Sequence, residues 1–180
     1  MKNETILSGK YEHLPNTWDE MFDENGTIRE SYSRFHSFFS KISLDELDQM
    51  NDFAIQFFKS QGITFNVYSD EKGVEKIFPF DIIPRIINQE EWRLIEKGII
   101  QRIKALNLFL KDIYHDQFIL KDNVIPPSLV ASNENYLREM KNLRVPSDIY
   151  SHISGIDLIR DEKGKFYVLE DNLRTPSGVS

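Results

Sequence analysis

Apolar positions along the chain fall into helix-spaced and strand-spaced runs that alternate from end to end. The first forty residues carry Trp18, Met21, Phe22, Tyr32, Phe35, Phe38 and Phe39 among polar residues, and Asn25-Gly26 marks a turn between two segments expected to be helical. Ser43-Leu44-Asp45-Glu46 is a capping box: the serine hydroxyl and the glutamate three residues on satisfy helix-start N–H groups reciprocally. Leu44, Leu47, Met50, Phe53 and Phe57 follow, so a helix is predicted from Leu44 to Ser60, with Gly62 as its stop. Ile63 to Tyr68 alternates into the turn Ser69-Asp70-Glu71-Lys72-Gly73, and Val74 to Phe80 returns, which predicts a hairpin. Pro79 and Pro84 bracket a rigid, irregular segment that holds Asp81 and Arg85.

Asn88 to Glu91 can cap the next helix, in which Trp92, Ile95, Ile99, Ile103, Leu106, Leu110 and Ile113 keep a three-to-four-residue spacing. This is the longest helix expected. Pro126-Pro127 ends the loop after it, and a short helix is expected from Glu134 to Met140. Ile149 to Arg160 and Lys165 to Leu173 read as a second hairpin around Asp161-Glu162-Lys163-Gly164. The expected class is α+β, with helices packed on antiparallel hairpins. No repeat or Gly/Ser/Pro-rich linker interrupts the 180 residues, which are therefore expected to form a single unit.

Composition narrows the partners. Lys plus Arg gives 22 and Asp plus Glu 29, a net charge of −7, which argues against a general electrostatic grip on nucleic acid. The chain has no cysteine, so disulfides, thiolate metal sites and thiol nucleophiles are excluded together. No run approaches the ~20 apolar residues of a membrane span, and the first residues lack the apolar core of a secretory signal. A cytoplasmic protein with no membrane partner is expected.

The second hairpin carries the most specific chemistry. Glu170 and Asn172 are two apart on a strand and so share a face, while Asp171 points the other way. If Asp157 lies opposite Val168 or Glu170, it joins that face, bringing two carboxylates and an amide oxygen together; a register one residue out would scatter them. Oxygen-only ligands suit Mg²⁺. The alternative is a solvated polar face of a half-buried hairpin. Directly beyond, Leu173-Arg174-Thr175-Pro176-Ser177-Gly178 offers a guanidinium and two hydroxyls, which suit anionic oxygens. The alternative for Arg174 is an ion pair with Asp171.

Gly155-Ile156-Asp157-Leu158-Ile159-Arg160 followed by Val168-Leu169-Glu170-Asp171-Asn172-Leu173-Arg174-Thr175-Pro176-Ser177-Gly178 resembles the circularly permuted ATP-grasp proteins of type 2. That family is related to glutathionylspermidine-synthase-like carboxylate-amine ligases. Phe78 to Arg85, Gln101 to Asn107, Asp112 to His115 and Ile119 to Asp122 are similar to the same family, so the resemblance covers most of the chain from about Trp18 onward. It implies part of an ATP-grasp fold that uses ATP and Mg²⁺ to join a small-molecule or peptide carboxylate to an amine through an acyl phosphate. Asp157, Glu170 and Asn172 are implied as the metal ligands. Arg174 is placed at the phosphate or acyl phosphate as a catalytic and cofactor-binding group, and Ser177 as a cofactor-binding group. Family members are longer, which implies the N-terminal portion of a larger enzyme, with the remainder of the ATP-grasp chain as its partner and little activity in the 180 residues alone. A non-catalytic binding module derived from the family is the alternative.

The remaining candidates are weaker. His13, His36, His115 and His152 are too dispersed for a metal signature, although His152 lies five residues before Asp157 and could reach the same cleft. Asp81 and Arg85 could form an ion pair or line a pocket. Lys121-Asp122-Asn123 reads first as a turn, with an approach of Lys121 to phosphate as the second option. Use of Asp157 and Glu170 as a glycosidase pair would need a sugar-stacking groove, of which the sequence shows no sign.

Overall fold

The structure is a computed structural model that describes residues 12–66, 75–77 and 79–176. The chain divides into two compact units, Met1–Asn88 and Gln89–Ser180. No composition change or flexible linker marks that boundary in the sequence.

In the first unit, the expected helical segment before Asn25 is absent. The carboxylate of Asp19 accepts the N–H groups of Met21 and Phe22 at 2.8 and 2.7 Å, and Asp23 accepts those of Asn25 and Thr27 at 2.9 and 2.8 Å. Side chains that take these donors offer the backbone an alternative to a helical ladder. A turn results, with Gly26 at φ +73° and an antiparallel bridge from Phe22 to Ile28. A single 3₁₀ turn, Glu30–Tyr32, leads into α1, Ser33–Phe39. Tyr32, Phe39 and Ile42 are the buried apolar residues described here. The Tyr32 hydroxyl donates to Pro84 O at 3.2 Å and accepts from Ile86 N–H at 2.8 Å, which pins the proline-bracketed segment.

The second helix, α2, spans Leu44–Ser60 as predicted, and both bonds of its capping box are present. No α2 residue is buried, and Phe53 and Phe57 expose much of their surface. Strands β1, Thr64–Asn66, and β2, Glu75–Ile77, pair antiparallel with Thr64 opposite Ile77. They confirm the first hairpin; its expected turn at Ser69–Gly73 lies outside the described residues.

The second unit is built on α3, Gln89–Tyr114, whose 26 residues make it the longest helix described. Two short helices that apolar spacing did not reveal follow it: α4, Phe118–Lys121, and α5, Pro127–Ala131. The Asp112 carboxylate starts α4 by accepting from Phe118 and Ile119 N–H at 2.9 and 3.0 Å. The helix expected over Glu134 to Met140 shrinks to one 3₁₀ turn, Arg138–Met140, because the Asn133 side chain takes the Asn135 N–H at 2.9 Å and makes a turn instead. Buried Tyr114 stacks between Tyr136 and Tyr150, with ring centroids 5.1 and 6.0 Å away.

The second hairpin consists of β3, Gly155–Arg160, and β4, Phe166–Asn172. The strand expected from Ile149 starts only at Gly155, since Asn107 Oδ1 on α3 takes the N–H groups of Tyr150 and Ser151 at 2.7 and 3.1 Å. Small antiparallel pairs among helices make this an α+β arrangement. No described helix is long and apolar enough to cross a membrane.

Candidate active site

Register decides whether the hairpin's carboxylate and amide oxygens can meet. Asp157 pairs with Glu170 and Gly155 with Asn172, so Asp157, Glu170 and Asn172 share one face. The pairing then shifts: Leu158 meets Val168, which leaves Leu169 as an extra residue beside Glu170. Such a bulge bends its strand and re-aims the neighbouring side chain. Among the described residues, neither the Asp157 nor the Glu170 carboxylate has an ion pair or hydrogen bond, and both residues are exposed.

The opposite face is the one that holds the hairpin in place. Arg102 on α3 donates from Nε at 2.7 Å and from Nη2 at 2.5 Å to the two oxygens of Asp171. This fork holds the Asp171 carboxyl below its ordinary value and raises the arginine. Arg160 donates to Glu91 at 2.6 Å and lies 4.0 Å over the Phe166 ring. Glu91 and Arg102 are eleven residues apart on α3, roughly 16 Å at 1.5 Å per residue. Their partners lie four strand positions apart in the ladder, roughly 13 Å. The similar spans let the hairpin run along the helix with an ion pair at either end.

The segment after β4 is also fixed. The buried Ser151 hydroxyl donates to Leu173 O at 3.1 Å and shares a 2.8 Å hydrogen bond with Ser154. A Cβ on Gly155 would come within 2.9 Å of Pro176 Cβ and 3.5 Å of Asn172 Cβ. The absence of a side chain there lets Pro176 pack against the start of β3. Arg174 is exposed, and its Nη1 donates to Asn135 Oδ1 at 2.6 Å. The expected alternative for Arg174, an ion pair with Asp171, is therefore corrected: Arg102 occupies Asp171 from the helix side. Ser177 lies outside the described residues.

The donor set fits Mg²⁺ chemically. Two carboxylates and an amide lie on alternate ladder positions of one face, all three offering oxygen donors. No group of three or more His, Asp or Glu side chains suited to a metal occurs among the described residues, so this set would need oxygens from a substrate or water.

The profile of the family described as circularly permuted ATP-grasp type 2 matches residues 84–180. The chain belongs to this family. An uncharacterized protein of Synechocystis sp. is 46% identical over 165 residues, covering 92% of this chain and 34% of the relative. An uncharacterized protein of Mycobacterium tuberculosis is 46% identical over 163 residues, covering 91% of this chain and 29% of the relative. A protein of Frankia alni named "Putative glutamate--cysteine ligase 2-3" is 35% identical over 175 residues, covering 97% of this chain and 20% of the relative. The chain thus spans about a third or less of the length of these curated relatives.

The other sequence candidates separate. Asp81 accepts Ile83 N–H at 2.9 Å, a turn contact, and no ion pair joins it to Arg85 among the described residues. Both residues instead line a cleft of about 540 Å³ in the first unit, together with Trp18 and Tyr32. Asn123, at φ +54°, completes the expected turn after Lys121, whose ammonium lies 5.5 Å over the Phe118 ring. His152 lines a cleft with Lys104, Lys111 and Asp148. Sequence reasoning missed Arg102, Asn107, Asn135 and Ser151. Each acts on a residue that is distant in sequence, and no local spacing signals that.

Proposed function

We propose that the protein is an ATP-dependent carboxylate-amine ligase and that this chain supplies Asp157, Glu170 and Asn172 as ligands to Mg²⁺ on the ATP phosphates. The observation that carries this reading is the ladder register: Asp157 stands opposite Glu170, with neither carboxylate engaged among the described residues, while adjacent Asp171 is fully occupied by Arg102. Two facing carboxylates left without partners repel each other, an arrangement that a bound cation relieves. Bound Mg²⁺ would neutralise phosphate charge that otherwise repels an incoming carboxylate.

The chain's own residues do the positioning. Arg102 and Arg160 lock the hairpin to α3, so the ligand pair stands on a rigid support. The Ser151 contact to Leu173 holds the backbone from which Arg174 reaches out, and Arg174 would exchange Asn135 for a phosphate or acyl-phosphate oxygen. Ser177 is assigned to the same anion. The reaction class is activation of a carboxylate as an acyl phosphate, with ADP released, followed by displacement of phosphate by an amine. The ligase names of the Frankia relatives support amino-acid substrates. The remainder of a longer ATP-grasp chain would complete the nucleotide pocket, and exposed Phe53, Phe57 and Leu169 offer apolar surface for it. The same exposure weighs against a self-sufficient binding module. A soluble cytoplasmic enzyme without nucleic-acid partners is part of this reading.

The test uses the full protein with Mg-ATP. Asp157→Asn and Glu170→Gln should each abolish substrate-dependent ADP release while the far-ultraviolet circular dichroism spectrum stays unchanged. Retention of ADP release in both variants would overturn the assignment.

A further inference from the structure

A second cleft, of about 550 Å³, lies in the second unit between α3 and the loop that precedes β3. Its volume suits a small molecule. Ile103, Leu108 and Ile149 give it apolar walls, and Lys104, Lys111, Asp148 and His152 supply its charged and titratable groups. Lys111 is already answered, since its ammonium donates to Asp148 Oδ2 at 2.6 Å. Lys104 and His152 have no ion pair or hydrogen bond among the described residues. One positive charge, that of Lys104, is therefore left unbalanced in the lining.

The loop backbone is held in an uncommon conformation. Ser147 and Asp148 are consecutive non-glycine residues in the left-handed region, at φ +56° and +57°. Non-glycine residues rarely adopt that backbone, which persists only where the surroundings fix it. The fixing contacts are the Lys111 bond to Asp148 and the Asn107 bonds to Tyr150 and Ser151. Ser151, which also lines the cleft, bonds Leu173 O just beyond the ligand strand.

We infer that this cleft binds a small organic monocarboxylate, with Lys104 on the carboxylate, His152 beside it and the aliphatic body against the apolar walls. One unbalanced positive charge matches a monoanion better than a phosphate dianion, and the described lining has neither an arginine fork nor a glycine-rich loop to grip phosphate. In the ligase this is the docking place of the acid substrate, an assignment that rests on the proposed function.

The experiment is calorimetric titration of the full protein with hexanoate, hexanamide and inorganic phosphate as probes. Hexanoate should bind saturably, with hexanamide about tenfold weaker and Lys104→Gln weakening hexanoate by about tenfold, as expected for the loss of one charge-assisted contact. Asp157→Asn should leave hexanoate affinity unchanged. Equal affinity for hexanamide, tighter binding of phosphate, an unaffected Lys104→Gln variant or no saturable hexanoate binding would each overturn the inference. If these probe results hold while the full wild-type protein releases no ADP from Mg-ATP in the presence of carboxylate and amine, the ligase reading fails and the carboxylate cleft stands.

Discussion

The two faces of the β3–β4 hairpin carry the same kind of residue and use it in opposite ways. Asp171 faces α3 and is held in the fork of Arg102, while Glu170, one residue earlier, stands opposite Asp157 with no partner among the described residues. A carboxylate held by an arginine secures the fold and has little capacity left for a ligand. A facing carboxylate pair without such a partner repels itself, which works against the fold and leaves both groups free for a cation. Strand alternation thus separates an anchored carboxylate from an unpaired one within consecutive positions.

That division can be broken by substitution, and the largest effect belongs to the open face. Glu170→Gln or Asp157→Asn should reduce Mg-ATP turnover by roughly a hundredfold or more, since each would remove a charged ligand of the proposed Mg²⁺ site. The urea midpoint should stay near wild type. Arg160→Ala acts on the anchoring face: it strips packing from Phe166 and leaves Glu91 without its guanidinium, so a loss of about 2–3 kcal/mol is expected by urea denaturation. Gly155→Ala pushes a methyl to within 2.9 Å of Pro176 Cβ and should cost about 1–2 kcal/mol by urea denaturation.

The smallest effect is on pH dependence. Arg102 holds the folded Asp171 carboxyl below its ordinary value of 3.8, so the contribution of this group is present above that value. It is lost as the pH falls through the lower folded value. Asp171→Asn should therefore flatten the acid limb of stability below about pH 4. Unfolding curves from neutral pH to pH 3 would check this, and an unchanged limb would remove Asp171 from the anchoring role.

Local signals were legible in the sequence. The capping box at Ser43, the spacing through α3 and the alternation on β3 and β4 each report a short-range cause, and the structure repeats them at the same residues. Residues that take backbone donors with their side chains, such as Asp19, Asp23 and Asn133, erased helices that apolar spacing suggested. The shared face of Asp157, Glu170 and Asn172 was legible only conditionally, because a strand pattern gives faces but not register. The supports of that face were hidden: Arg102 finds Asp171 across 69 positions, and Ser151 finds Leu173 across 22.

The most direct measurement is Mg²⁺-dependent ATP binding to the full protein, compared between Glu170→Gln and Asp171→Asn at neutral pH. The expected result is loss of the Mg²⁺-dependent component in Glu170→Gln and its retention in Asp171→Asn. Retention in Glu170→Gln, or equal loss in both variants, would contradict the assignment of the open face to the metal.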